Sequence, residues 1–513
     1  MTRSNFLARN VLVSVANQLV TWVLSFWVTV MMPQHLGADG FGEFSLAFAV
    51  AGLCSMTITL GTSTVIIREV ARDHARAASL LPTALALRIP LTLVAVAVAG
   101  GASSAMHYAH SVIVLIVLAE VGMGLASLND AFCSVLQGME QIPKQNVLIF
   151  FERLIYSSGT IVLLLMRAPI WTLVAITLVS NLCELIVASA IIRPHVRRLE
   201  IPTIRSMGAL LRDGLPFATT SLFSSLYSQC DPPILKKYSA MSVVGWYSLG
   251  RRLLGAVLFL PVALTSALLP TLARLSREDP DAYASLIRRM IDLVLIAVVP
   301  FAALLIFGSR QILAMLHYPP DFAGSIPVLA IFGAGFVAWY LSQVVGTGLV
   351  ASDKQKELSR ITGIAALGSL PLCIAMVVVW QARFHNGAVG AALSDVVVEV
   401  GLLVCYLHAS RQRLMGLGSL ATFGKALIAG VPLIAALYAT RSGAGTGTVV
   451  ISCAAGALAY VPLCLLLRCI QPADMKLLRA AVERRRSNAN EEASDYEVGP
   501  VAGETALGAP NLP

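Results

Sequence analysis

The sequence predicts an all-α polytopic membrane protein with about 14 transmembrane helices, arranged as two six-helix lobes in a parallel repeat plus a C-terminal helix pair. Three observations carry that prediction: a composition too apolar for water, a series of apolar runs of similar length, and an internal repeat in fixed register. Of 513 residues, 57% are hydrophobic and 13% are charged, and the mean hydropathy is +0.78. Soluble domains carry roughly a quarter of their residues as charges, so this chain belongs in a bilayer.

A hydrocarbon core about 30 Å thick is crossed by roughly 20 apolar residues in a helix. By that measure the runs are 11–32, 44–67, 82–102, 112–136, 147–166, 171–192, 215–235, 244–269, 290–307, 326–350, 361–380, 388–408, 426–440 and 448–467. The first is longer than the apolar region of a signal peptide and lacks a following A-x-A site, so it is expected to be retained.

The net charge of +9 comes from 37 basic residues whose positions follow topology. With the N-terminus in the cytoplasm, the even-numbered loops and both tails hold 27 of them and the outside loops hold six. This is the positive-inside pattern, and the basic balance therefore gives no reason to expect a nucleic-acid partner. The remaining four, Arg88, Arg153, Arg251 and Arg252, fall inside spans. Nine cysteines are scattered through apolar runs with no C-x-x-C and no histidine cluster, so neither a metal site nor a disulfide framework is expected.

Residues 9–63 align on 212–266 without a gap, with ten identities that include Leu19/Leu222, Gly42/Gly245, Ser45/Ser248, Leu46/Leu249 and Gly52/Gly255. Six spans separate the copies, so both lobes have the same orientation, the arrangement in which a transport route runs between parallel halves. The predicted organisation is an N-lobe (1–192), a basic cytoplasmic linker (193–213), a C-lobe (214–408) and an extra helix pair (409–468). A basic amphipathic surface helix (469–486) and a disordered acidic tail (487–513) follow. The repeated stretches GFGEFSL (Gly40 to Leu46) and VVGWYSL (Val243 to Leu249) are expected at the outer mouth of each lobe. There, small residues would let a short connection turn tightly without touching substrate.

Four stretches resemble one family: HLGADGFGEFSLAFAVAGL with the following REVAR, LQGMEQIPKQ, VVGWYSLGRRLLGAVLFLP running to LLPTLAR, and NGAVGAALSD. In that order and spacing the chain is similar to the polysaccharide-export flippases, the O-antigen and exopolysaccharide Wzx type, of the multidrug/oligosaccharidyl-lipid/polysaccharide superfamily. The resemblance implies alternating-access translocation of an undecaprenyl-diphosphate-linked oligosaccharide across the inner membrane, with both termini cytoplasmic. It also implies a monomer working beside polysaccharide polymerase and chain-length proteins. The sequence departs from the family at Asp231-Pro232-Pro233, where such proteins continue the helix.

An ionisable side chain inside a span costs about 2.5–3.5 kcal/mol on insertion scales and so marks a cavity or a pairing. Arg252 precedes Leu-Leu, where the family and the related lipid II flippases have a cavity arginine, and its repeat mate is Ala49. Arg252 is therefore the first candidate for the headgroup diphosphate. Arg251, about 100° away on the helix, Arg88 and Arg153 complete that candidate set, and Arg88 or Arg153 can alternatively pair with Glu120. Asp395 and Glu399 lie one turn apart on one helix face, and together with Glu120 they are read either as H+ or Na+ coupling acids or as partners of an arginine. No other cofactor is expected.

A lipid II flippase or a multidrug exporter of the same superfamily is the alternative, the double arginine favouring an anionic cargo over the latter. A membrane glycosyltransferase or polymerase needs acids or histidines in an extramembrane segment. The longest outside loop, Gly308 to Ser325, offers only Arg310, His317 and Asp321, and no nucleotide-binding motif occurs, so no enzymatic activity is expected.

Overall fold

The structure is a computed structural model that describes residues 3–194, 200–410, 414, 416–440 and 446–469. From residue 470 onward the expected surface helix and acidic tail lie outside the described residues, as do 195–199 of the expected linker. The chain divides into two compact units, Met1–Leu19 with Ile470–Pro513, and Val20–Cys469. Of the first only helical backbone from residue 3 is described, and the architecture below is that of the second.

The described residues are helical throughout, without strands. The expected N-lobe holds α1 (Arg3–Thr59, of which residues from 20 onward belong to this unit), α2 (Thr62–Arg72), α3 (Ala77–Ala105), α4 (His110–Gly138), α5 (Ile142–Leu165) and α6 (Ile170–Ile192). The expected first span and most of the second, which ends in α2, lie in α1, which leaves helical geometry only at Gly37, with φ 67 and ψ −179. Glycine reaches positive φ without the Cβ clash that penalises other residues, so one residue replaces the expected loop. α1 and α2 part at Leu60 and Gly61, both of positive φ. Val65, Ile66, Leu81, Leu87 and Leu136 form the buried core of this lobe.

The chain crosses to the C-lobe along α7 (Ile204–Gln229), whose start is closed by a reciprocal Thr203–Ser206 capping box. Its first half packs on α2 and α3, Leu210 being part of the N-lobe core, and its later residues reach α14 (Gln355–Phe384). The second part of the expected linker is thus the beginning of a helix. α7 stops at Gln229 and α8 (Asp231–Tyr238) starts at the Asp-Pro-Pro step, because proline lacks the N–H that a continuing helix needs but fits a first turn. The expected eighth span is likewise divided, into α9 (Met241–Val257) and α10 (Phe259–Glu278), just before Pro261.

The C-lobe continues with α11 (Pro280–Phe307), short α12 (Ser309–Met315), α13 (Ser325–Ala351), α14 and α15 (Gly387–Ser410), with α13 packed on α9, α10, α11 and α15. The added pair, α16 (Leu417–Ala439) and α17 (Thr446–Leu466), is attached to α11. Tyr460 donates to the Ile296 carbonyl at 2.6 Å, and the Gln311 side chain to the Leu437 carbonyl at 2.7 Å.

Ten helices among the described residues are long and apolar enough to cross a membrane. The fourteen expected runs all fall within helical segments, but the first and most of the second share α1, α17 counts only as a shorter apolar helix, and none of α7 to α10 meets that test. The reason for the last is physical: α7 begins with charged residues, and the seventh and eighth expected spans are each divided beside prolines.

Candidate functional site

The two copies of the repeat meet each other. A Cβ on Gly42 would collide with the Met241 carbonyl, and one on Gly245 with the Ala38 carbonyl. Gly42 and Gly245 are repeat mates, and so are Ala38 and Met241, so the contact is reciprocal in the way a two-fold axis requires. These glycines were expected to ease a turn within each lobe. Instead Gly37 makes the turn, and Gly42 and Gly245 permit backbone-to-backbone approach between lobes.

Arg252 projects from α9 at this seam. Its Nε donates to Thr29 Oγ1 at 3.4 Å, its Nη1 faces Met32 Sδ at 3.5 Å, and its guanidinium lies 5.8 Å from the Phe41 ring centroid. Tyr156 of α5 and Tyr318 are near enough to interact with it electrostatically. Among the described residues no carboxylate lies within ion-pairing distance of Arg252. Its partners are all neutral and, at these distances, weak.

Arg251, one residue earlier, points into the C-lobe. Its Nη1 is 3.2 Å from Asp231 Oδ2, 3.2 Å from Asp395 Oδ2 and 2.8 Å from the Tyr247 hydroxyl. That hydroxyl lies 2.6 Å from Asp231 Oδ2 and 2.7 Å from Asp395 Oδ2, while Cys373 Sγ approaches Asp231 Oδ1 at 3.4 Å. Four helices, α8, α9, α14 and α15, are tied together at this point. Two carboxyl groups thus share one guanidinium and one hydroxyl. Glu399, a turn beyond Asp395, accepts a hydrogen bond from Tyr227 at 2.8 Å and borders a cavity of about 430 Å³ that Trp339, Ser342, Gln343, Thr362 and Tyr406 also line.

The N-lobe has its own arginine cluster. Arg88 is fully buried, 3.1 Å from Asp130 Oδ2, and donates to Ser63 Oγ at 2.8 Å, Thr62 Oγ1 at 3.3 Å and the Ser127 carbonyl. Its partner is therefore Asp130 and not Glu120. Glu120 is fully buried with no hydrogen-bond partner for either carboxyl oxygen among the described residues. Arg153 is itself exposed on α5, among half-buried neighbours, and forms no ion pair among the described residues. The structure thus brings Arg251 and Asp395 together, with Glu399 next to them, and keeps Arg252, Arg88, Arg153 and Glu120 apart.

Two participants escaped the sequence reading. Tyr247 lies four residues before Arg251 on the same helical face, a spacing that signals contact. Asp321 accepts the Ala38 N–H at 2.7 Å across 283 positions, and no local pattern announces that. Among the described residues no group of histidine, cysteine and acidic side chains could hold a metal ion.

The family model described as polysaccharide biosynthesis protein matches residues 7–276, and the one described as lipid II flippase MurJ matches residues 159–458. A solved structure of lipid II flippase MurJ in an inward closed conformation is similar over 89% of this chain and 99% of that chain, with TM-score 0.69 and 12% identity. An inward-facing multidrug resistance MATE family transporter of the MOP superfamily is similar over 77% and 94%, with TM-score 0.61 and 14% identity. At these identities the structural likeness is one of fold. No curated protein sequence matches the chain.

Proposed function

Because the chain belongs to the polysaccharide biosynthesis family of the multidrug/oligosaccharidyl-lipid/polysaccharide superfamily, we propose that it moves an undecaprenyl-diphosphate-linked oligosaccharide across the inner membrane. It is a multi-pass membrane transporter of the flippase class. The proposed cargo is the repeat unit of an O-antigen, exopolysaccharide or capsule, carried by alternating access with both termini in the cytoplasm. In that orientation the end bearing Gly37 and Asp321 faces outward.

One observation supports the cargo most strongly: among the described residues Arg252, at the seam between the lobes, has neutral partners only. A diphosphate leaving water for the membrane interior loses solvation that must be replaced by positive charge and donors. A guanidinium presents a planar fork of donors suited to phosphate oxygens, and its uncompensated charge is available to them. Arg251 contributes differently in this reading. Held by Asp231 and Asp395, it fixes the wall from which Arg252 projects. Two carboxyl groups sharing a single cation, with Glu399 beside them, make this cluster the proposed place where an H+ or Na+ would couple to transport.

A lipid II cargo is the second reading, favoured by the MurJ family match over residues 159–458. It shares the diphosphate chemistry and differs in the headgroup beyond the diphosphate.

The test is a series at Arg252. Arg252→Lys, which keeps charge but loses the fork, should retain partial export; Arg252→Ala should lose most of it, and Arg252→Glu all of it, with normal protein abundance in the membrane. Surface polysaccharide and inner-leaflet lipid-linked precursor are measured together, and the identity of the accumulated precursor separates the two cargoes. Normal export by abundant Arg252→Glu protein would exclude the proposal.

A further inference from the structure

The segment between α12 and α13 reaches out of the C-lobe and grips α1. Gly37 interrupts α1, so the helix restarting at Ala38 has first-turn N–H groups without helical partners. Asp321 Oδ2 accepts the Ala38 N–H at 2.7 Å, an N-terminal cap supplied from the other lobe. The carbonyl of the same residue accepts Trp246 Nε1 of α9 at 2.6 Å. Asp321 therefore ties together the two repeat stretches that meet at Gly42 and Gly245.

The neighbouring residues strengthen the grip. Phe322 is fully buried, with its ring centroid 6.3 Å from Phe41 and 5.8 Å from Tyr318. Gln34 donates its side-chain amide to the Leu316 carbonyl, and the Tyr318 hydroxyl lies 3.4 Å from the Thr29 carbonyl. Phe41 and Thr29 are also two of the neutral contacts of Arg252. The grip and the arginine thus share residues of α1.

We propose that Asp321 is a positioning residue: it clasps the outer ends of the lobes shut and so directs Arg252 toward the inner side. This rests on the orientation and alternating access proposed above. Outward opening must then release the Ala38 N–H and the Trp246 indole from Asp321, and Phe41 and Thr29 shift as it does so. A headgroup that draws the Arg252 guanidinium off these two residues removes part of what holds the clasp. Loading of the site thereby favours outward opening.

The experiment introduces Thr29→Cys as a probe and follows its labelling by a membrane-impermeant thiol reagent from each side, in cells and in inverted vesicles, against the full-length parent without that cysteine. Adding Asp321→Ala should raise outer-side labelling at least tenfold and lower inner-side labelling. Asp321→Asn, which keeps an oxygen acceptor, should fall between this variant and the parent. Unchanged labelling, or an equal rise from both sides, would overturn the clasp, because a merely loosened fold exposes the probe in both directions. Should Asp321→Ala protein fail to accumulate, Trp246→Phe removes one of the two bonds and keeps the ring. It should shift labelling the same way by about threefold, and no shift would equally overturn the proposal. Arg252→Ala is made in parallel with its export assay. Normal export by that variant together with the predicted sidedness at Asp321 would sink the cargo reading and leave the clasp standing.

Discussion

Arg251 and Arg252 are consecutive residues on one helix, yet they sit in opposite chemical circumstances. Arg251 meets two carboxylates and a phenol inside the C-lobe, whereas Arg252 meets a hydroxyl, a thioether and an aromatic ring at the seam. The rotation of about 100° between successive helical residues is enough to turn one inward and the other toward the second lobe. Arg88 in the N-lobe repeats the Arg251 solution with Asp130, two hydroxyls and a carbonyl. The comparison teaches that an arginine in a membrane span is not by itself a binding residue. What distinguishes Arg252 is that it stands at the seam between the repeats with no carboxylate partner among the described residues, whereas Arg153, also without an ion pair there, is exposed on the surface of α5.

The contrast predicts that changes inside a lobe lower the amount of folded protein, while changes at the seam lower transport. The largest effect is expected at Arg251. Arg251→Ala leaves Asp231 and Asp395 facing each other without a cation; because the Arg251 side chain is 34% exposed, the loss is smaller than the ~3–5 kcal/mol of a fully buried pair. Membrane abundance should fall at least tenfold, and adding Asp395→Asn should recover part of it. Detergent-solubilised yield and thermal stability check this. Full abundance of Arg251→Ala would break the distinction between the two arginines.

A smaller effect is expected at the lobe contact. Gly245→Ala places a methyl group where the Ala38 carbonyl lies, and backbone cannot give way as a flexible side chain can. Export per molecule of protein should fall several-fold with abundance close to the parent's, and Gly42→Ala should behave alike because the contact is reciprocal. An abundance loss as deep as that of Arg251→Ala would show that the seam is part of the folding core.

Much of the architecture was legible because it depends on local rules. The apolar runs fall within helical segments, three of them divided between two helices, and the Asp-Pro-Pro step that departs from the family divides α7 from α8 for a reason proline chemistry supplies. The repeat predicted two equivalent lobes, and its glycines turned out to mark their point of contact. Misreadings arose where the outcome depends on distant residues. Glycines in GFGEFSL look like turn formers locally, but Gly37 takes that role and frees Gly42 for packing. Glu120 offers a natural partner for Arg88 by sequence, yet Asp130, ten residues along α4, lies where the guanidinium ends. Arg251 and Arg252 are indistinguishable as letters, and only the positions of Asp231 and Asp395 across the lobe separate them. Asp321 belongs to a loop that seemed to lack chemistry, and its partner lies on the first helix.

The central claim is that the charge of Arg252 is reserved for a diphosphate, and direct binding tests it most closely. The measurement is the affinity of purified protein in lipid nanodiscs for undecaprenyl diphosphate, compared between the parent, Arg252→Lys and Arg252→Ala. A hydrogen bond to a charged group contributes about 1.5–3 kcal/mol, and about 1.4 kcal/mol corresponds to a tenfold change in affinity. The account predicts binding at least tenfold weaker in Arg252→Ala, with Arg252→Lys between it and the parent. Equal affinity in the parent and Arg252→Ala would contradict it.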